Sequence, residues 1–315
     1  MTQQQDPDRA PSAPARPRPQ MTDAGLRPAH AVSAVDEYGR RREGFIAGER
    51  PLTLYLDKRE IVTLMTLGTH PELLVLGYLL NQRLIEDPGE VRAIQVDWDV
   101  DAAAVTTWNG TRGIDEKLAH RTVTSGCGQG TMFGRLADEL DSLSLARPTL
   151  HQSRLYALLR ALNDYNEVYR RAGAVHGCAL CRLPNGDGEA DAMPAIELFV
   201  EDVGRHNAAD AIAAHMRLDG LDGSARIFYT TGRLTSEMVI KVAQMRIPVL
   251  LSRSGITQKG LELAQRVGVM MLARARGRHF LVYHGAERLV FDAIPPMHAG
   301  DASGGPASIA PKTTP

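Results

Sequence analysis

The chain is poor in cysteine, has no long apolar run and carries no excess of either charge. Three cysteines among 315 residues cannot build a disulfide framework, and so small and odd a number suits a reducing compartment in which each thiol is judged separately. The longest unbroken apolar stretch is Leu73 to Leu80, far short of the roughly 18 to 20 residues that cross a bilayer. No charged segment followed by an apolar one stands near Met1. Membrane spanning and classical secretion are therefore disfavoured, and a cytoplasmic location is expected. With 36 basic and 37 acidic residues no global field exists to hold nucleic acid, so any phosphate recognition must be local. Glycine patterns of the P-loop or dinucleotide kind are missing too: Gly126, Gly128 and Gly130 are spaced wrongly, and no Lys-Ser or Lys-Thr follows them.

What is present suggests two folded units between two tails. Residues 1–36 and 295–315 are rich in proline and small or polar residues without apolar periodicity, and both are expected to be disordered. Residues 37–123 combine a hairpin around Lys58 and Arg59, a helix over Pro71 to Ile85 with Leu73, Leu76, Leu80 and Leu84 at helical spacing, and the alternating run Ile94, Val96, Trp98, Val100. They predict a small α+β unit. Residues 124–134 hold four glycines and one cysteine, a break between foldable regions. Residues 135–294 open with the stripe Leu155, Leu158, Leu159, Leu162, Tyr165, Val168 and Tyr169 of one long amphipathic helix. A β-β-α-β-α-β-α-β-β order follows, which predicts an α/β mixed sheet with helices on both faces.

In such a sheet ligands gather at the carboxyl ends of strands, where helix N-termini offer unpaired N–H groups. Three strand-to-helix junctions are polar enough to serve: Glu201 to Asn207, Thr230 to Glu237 and Ser252 to Lys259. Each joins hydroxyl or amide donors, a glycine and a basic residue, a set that favours a nucleotide phosphate. The plain alternative is that each is a capped helix start, since Ser, Thr, Asp and Asn belong at N-caps anyway. The candidate binding residues are Asp202, Arg205, His206, Asn207, Arg233, Ser252, Ser254 and Thr257. A fourth basic cluster, Arg274-Ala275-Arg276-Gly277-Arg278-His279, lies between two expected strands as a second phosphate clamp or a solvated turn.

Cys127 lies in Ser125-Gly126-Cys127-Gly128, where glycines strip away packing and expose the sulfur. Thiolate is the form that accepts or delivers sulfur, and Arg121 or Arg135 could lower its pKa. Cys178 and Cys181 are three apart in an expected strand and so point to opposite faces, which argues for core packing over a shared metal ion. A zinc site of Cys127, Cys178, Cys181 and His176 is the minority alternative.

These residues carry a resemblance. The run Glu201-Asp202-Val203-Gly204-Arg205-His206-Asn207-Ala208, the stretch Gly232 to Val239, Ile247-Pro248-Val249 leading to Ser252 and Ser254, Glu49-Arg50-Pro51-Leu52 and Gly77-Tyr78-Leu79-Leu80 are similar to the formate dehydrogenase accessory protein family, FdhD. The resemblance implies a sulfurtransferase that takes sulfur from a cysteine desulfurase and delivers it to the molybdenum bis(molybdopterin guanine dinucleotide) cofactor of formate dehydrogenase. That cofactor would be bound as substrate, with no permanent cofactor or metal in the protein. It also implies a C-terminal domain of the cytidine-deaminase kind, the catalytic persulfide on Cys127 and a cofactor-binding stretch at Arg274 to His279. The sequence does not identify the oligomeric state, and a homodimer is the assembly to test. Many members have Cys-x-x-Cys in the loop, whereas this chain has Cys127-Gly128-Gln129-Gly130. One rival is a cofactor-binding chaperone without catalysis. A zinc nucleobase deaminase is another, but it needs His-x-Glu and Pro-Cys-x-x-Cys at helix starts, which Thr230-Thr231-Gly232 does not supply.

Overall fold

The computed structural model describes residues 18–110, 143–183 and 195–295. Cys127 and the glycine-rich segment around it lie outside the described residues, as does the stretch from residue 296 onward.

The first unit comprises β1 (Gln20–Met21), β2 (Ala29–Val35), β3 (Arg41–Ala47), β4 (Arg50–Leu56), β5 (Arg59–Thr66), α1 (Pro71–Asn81), β6 (Val91–Asp97) and β7 (Ala102–Thr107). Its five-stranded sheet has the order β1-β6-β7-β4-β5, and β2 and β3 form a separate hairpin. Alternate β4 residues Leu52, Leu54 and Leu56 are fully buried, as a one-sided strand demands. Asp57 and Lys58 both take positive φ, 46° and 72°, the twist a two-residue hairpin needs.

Two expectations for this unit are corrected. Residues 18–36 are not a tail: β1 pairs in parallel with β6, and β2 pairs along its whole length with β3. The anchors are polar rather than periodic. Thr22 Oγ1 and the Ala24 N–H donate to Glu72 Oε1 at 2.6 and 3.0 Å, and Trp98 Nε1 donates to the Ala24 carbonyl at 2.6 Å. The helix starting at Pro71 ends at Asn81 rather than Ile85, because Arg83 turns into left-handed backbone with φ 54°.

The second unit runs β8 (Leu150–His151), α2 (Gln152–Tyr165), α3 (Glu167–Ala172), β9 (His176–Arg182), β10 (Ala195–Asp202), α4 (Arg205–Leu218), β11 (Arg226–Thr230), α5 (Ser236–Gln244), β12 (Val249–Ser252), α6 (Gln258–Val267), β13 (Met270–Arg276), β14 (His279–His284) and β15 (Leu289–Val290). Its six-stranded mixed sheet has the order β10-β9-β11-β12-β13-β14, with β11, β12 and β13 mutually parallel and β9 and β14 antiparallel to their neighbours. Ile212, Met238 and Leu263 of α4, α5 and α6 share one core with Leu180 and Leu250, while Leu155, Leu158 and Leu162 of α2 pack on Ile227, Leu251 and Leu272 across the sheet. Helices thus cover both faces. The single long helix expected over Leu155 to Tyr169 is two helices. The chain breaks at Asn166 (φ −78°, ψ 58°), and the Glu201 carboxylate accepts the Val168 and Tyr169 N–H groups at 2.8 and 2.9 Å.

The units meet along α1 and α4. A Cβ on Gly77 would stand 1.8 Å from the Asp210 carbonyl oxygen, so only glycine lets the two backbones approach this closely. Ala214 of α4 sits in the core of the first unit.

Candidate functional site

The carboxyl ends of β10, β11, β12 and β13 form one edge, because β9 runs opposite to both β10 and β11. Backbone hydrogen bonds lace the turns there into a continuous rim. Thr231 N–H donates to the Gly177 carbonyl, Arg253 N–H to Thr230, Leu234 N–H to Gly255, and Arg274 N–H to Ser254, at 2.8 to 3.2 Å. The three predicted junctions and the start of the fourth cluster are therefore neighbours.

Not every predicted residue faces a ligand on this rim. Asp202 is turned inward, and four donors engage both its oxygens. Thr66 Oγ1 and Leu67 N–H reach Oδ2 at 2.6 and 3.0 Å, while Asn207 Nδ2 and Gly204 N–H reach Oδ1 at 2.7 and 3.0 Å. Burial nonetheless pushes its pKa up against the pull of those donors. Asn207 also donates to the Met65 carbonyl at 2.7 Å. This pair clamps the second unit to the end of β5, and Asp202 is corrected as a ligand-binding residue on that ground. Ser252 is wholly buried and donates to the Gly232 carbonyl at 2.6 Å while accepting the Ser254 N–H at 2.9 Å. Thr257 caps α6, its Oγ1 accepting the Gly260 N–H at 3.2 Å. For these last two the capping and turn-holding alternative is the observed one.

His206 is corrected as a phosphate-binding cation. It is buried, its Nε2 lies 3.2 Å from Glu237 Oε2 without hydrogen-bond alignment, and burial, then the charges of Lys241, Arg205 and His176, pushes its pKa down to about 2. Burial thus favours the neutral ring. Ala275 is corrected too, since its side chain is buried in the α2-side core. The cause is a bulge. Ala273 pairs with Leu281 and Arg276 with His279, which leaves one extra residue on β13, and Arg274 takes φ 53°, so Ala275 turns inward and the arginines on either side turn outward. The cluster is thus the end of β13, a turn at Gly277 (φ 59°) and the start of β14, not a loop between strands.

The remaining residues form a basic rim. Arg233, Arg274, Arg276 and His279 are exposed and Ser254 is half-buried. Arg205 lies beneath, and a Cβ on Gly232 would come within 2.6 Å of its Cδ; the glycine makes room for the guanidinium stem. Arg278 sits 5.1 Å above the Tyr156 ring and donates to the Ile294 carbonyl. Three residues outside the predicted set join the rim. Arg253 stacks 5.7 Å from the Tyr169 ring centre, and His176, half-buried near Arg205 and Arg233, has its pKa lowered by burial and then by those two charges. Arg253, between Ser252 and Ser254, was legible from position alone; Tyr169 and His176 were not, since the sequence places them on other elements.

Cys178 and Cys181 occupy opposite faces of β9, the first in the core under α4 and α5, the second in the core under α2. One ion cannot hold both. Cys178 Sγ donates to Thr230 Oγ1 at 3.2 Å, and burial above all pushes its pKa up to about 12. Burial raises that of Cys181 as well. Neither forms thiolate near neutral pH. Among the described residues no three His, Cys, Asp or Glu side chains are close enough to hold a metal ion, and no helix is long and apolar enough to cross a membrane.

The chain is similar to sulfur carrier protein FdhD of Wolinella succinogenes, with 26% identity over 248 residues covering 78% of this chain and 83% of the relative. It is similar also to that of Bacillus subtilis, with 26% identity over 266 residues covering 82% and 98%. For Shouchella clausii the values are 29% over 251 residues, covering 78% and 89%. Among solved structures it resembles a putative formate dehydrogenase accessory protein from Desulfotalea psychrophila, with a TM-score of 0.63 at 27% identity, covering 83% of this chain and 98% of that one. The model of the FdhD/NarQ family matches residues 47–290, a span that contains the six-stranded sheet, the five-stranded sheet apart from β1, the α1–α4 joint and the basic rim. The chain belongs to the FdhD/NarQ family.

Proposed function

We propose that the protein is a sulfur carrier of formate dehydrogenase maturation that loads persulfide sulfur onto Cys127 and passes it to the molybdenum bis(molybdopterin guanine dinucleotide) cofactor, bound as substrate at the strand-end rim. The observation that carries the reading is the state of the other two thiols. Cys178 and Cys181 are buried and held protonated, which leaves Cys127 as the one sulfur of the three able to act as a nucleophile.

Loading needs a donor such as a cysteine desulfurase. The Cys127 thiolate attacks the outer sulfur of the donor's cysteine persulfide, the S–S bond there breaks, and the donor cysteine leaves as thiolate. Cys127 retains the persulfide. Arg233, Arg274 and Arg276 supply exposed guanidiniums for nucleotide phosphates, and buried Arg205 adds its field from below. Holding the acceptor beside the persulfide makes the second transfer effectively unimolecular. The cytoplasm supplies both the reducing conditions and the donor. The absence of a second cysteine at Gly130 means that the loop itself cannot release sulfur by forming an internal disulfide.

The test is whole-protein mass after incubation with a cysteine desulfurase and cysteine, followed by peptide mapping. One reductant-labile sulfur on Cys127, absent from Cys127→Ala, supports the reading. Labelling at Cys178 or Cys181, or client dehydrogenase activity in cells that survives Cys127→Ala, overturns sulfur transfer and leaves a cofactor-binding chaperone.

A further inference from the structure

A cavity of about 130 Å³ opens at the opposite end of the second sheet. It lies where α1, α4 and α5 all end, beside the segments that lead into β11 and β12. Its floor comes from Leu80, Ala213 and Met216, and its mouth from Arg83, Arg217 and Arg246. The five residues of β11 put it about 17 Å from the strand-end rim, so it is not part of the site already described. At about 30 Å³ per water its volume has room for about four water molecules, the scale of a purine base.

Two features are unexplained by the folding of the chain. The first is Gln244, the last residue of α5. Its Oε1 and Nε2 are both buried, and neither has a hydrogen-bond partner among the described residues. An amide in that state presents one donor and one acceptor side by side, the complement of an edge that also carries one of each. The second is the residue type at the mouth, because the turns themselves are ordinary helix ends: after α5 the Arg246 N–H donates to Ala243 and the Ile247 N–H to Val242. Arg83 and Arg246 follow the ends of α1 and α5 in left-handed backbone, with φ of 54° and 57°, a position where glycine is the residue without strain. Arginine there carries a cost in conformation and places its charge at the cavity mouth. Helix carbonyl ends account in part for nearby cations, and Arg217 is engaged by the Glu86 carbonyl at 2.7 Å. The Arg246 N–H donates to the Ala243 carbonyl at 2.9 Å and its charge acts on Asp222, but its guanidinium makes no hydrogen bond among the described residues. Glu86 and Asp222 also line the cavity, but Asp222 is turned to Ser224, whose N–H and Oγ it accepts.

We infer that this cavity is a second ligand site, which takes a purine nucleoside monophosphate with its base edge on the Gln244 amide and its phosphate at Arg246. Adenine presents an adjacent donor and acceptor that a glutamine amide pairs with in bidentate fashion. A phosphate needs one or more guanidiniums at the mouth.

The experiment is calorimetry of the full chain with AMP and with adenosine. AMP binds the wild type more tightly than adenosine does. Gln244→Leu weakens both about tenfold, and Arg246→Gly weakens AMP about tenfold while leaving adenosine unchanged. Arg246→Gly also keeps or raises Tm, because glycine accepts the left-handed backbone, so loss of binding in that variant is not loss of fold. Arg233→Ala leaves AMP binding intact. No AMP binding by the wild type at millimolar concentration, binding unchanged in both cavity variants, or AMP lost with Arg233→Ala overturns the inference. None of those results bears on sulfur loading at Cys127.

Discussion

Lys241→Met should destabilise the protein in a pH-dependent way whose size follows from one buried ion pair. Asp210 is completely buried at the α1–α4 joint, where it accepts from Lys241 Nζ of α5 and from Asn81 Nδ2 of α1; its Oδ2 has no partner among the described residues. Removing the ammonium leaves the carboxylate two outcomes. It stays charged and unpaired, at about 3–5 kcal/mol, or it takes a proton, which at pH 7 costs about 4 kcal/mol above an ordinary pKa near 3.9 at about 1.4 kcal/mol per unit. The two routes are of equal size, so the loss at pH 7 should be about 4 kcal/mol. At pH 5 protonation costs only about 1.5 kcal/mol, and the loss falls to that value. The sign follows from proton uptake. In the variant Asp210 has a folded pKa above its unfolded one, so the native state binds a proton the unfolded state lacks, and stability declines as pH rises through that window. Burial pushes this pKa upward even in the wild type, against the pull of Lys241. Urea unfolding at pH 5 and 7, read as midpoint at constant slope, measures it. The double variant Asp210→Asn with Lys241→Met, neutral at both positions, should recover most of the loss. A loss under about 1 kcal/mol at pH 7, the same loss at pH 5, or a double variant no better than the single would refute the reasoning.

How far such features are legible in the sequence depends on how far away their partners lie. The order of strands and helices in the second unit is legible because each element carries its own period: the stripe of α2 and the apolar runs of β11 and β12 need no distant information. The break at Asn166 is not, since the carboxylate that caps α3 belongs to Glu201 on another strand. The same holds for β1 and β2, whose anchors are Glu72, Trp98 and the partner strands. At the rim, residue type singled out junctions that the fold does bring together, and misjudged several side chains. Ser, Thr, Asp and Asn bind phosphates with the same atoms that cap helices and hold turns. Ser252 spends its hydroxyl on Gly232, twenty residues back, and Asp202 spends its carboxylate on Thr66 in the other unit. The arginines fared better because a long, always charged side chain seldom finds a buried partner and stays at the surface. Arg205 is the exception, and its burial rests on Gly232, a residue whose role is to be small.

Three further outcomes follow from the geometry. A thiol reagent should label one cysteine per native chain at neutral pH and all three after unfolding; rapid native labelling of Cys178 would contradict its burial. Gly77→Ala should cost at least about 3 kcal/mol, since its Cβ meets the Asp210 backbone rather than a movable side chain, and a melting temperature equal to wild type would show that the helices can part freely. The last separates clamp from contact at the rim. Arg233 is exposed on the strand-end edge, so Arg233→Ala should leave stability unchanged and weaken GDP binding about tenfold, the worth of about 1.5 kcal/mol for a charge-assisted contact. Asp202 gives both oxygens to four internal donors, so Asp202→Asn, which turns one acceptor into a donor facing donors, should lower stability by about 2 kcal/mol or more. Its folded fraction should bind GDP within about threefold of wild type, a difference under about 0.7 kcal/mol. Calorimetry and urea unfolding on the same two variants decide the matter: a large affinity loss in Asp202→Asn at unchanged stability would place its carboxylate on the nucleotide after all and undo the assignment of Asp202 as the clamp between the two units.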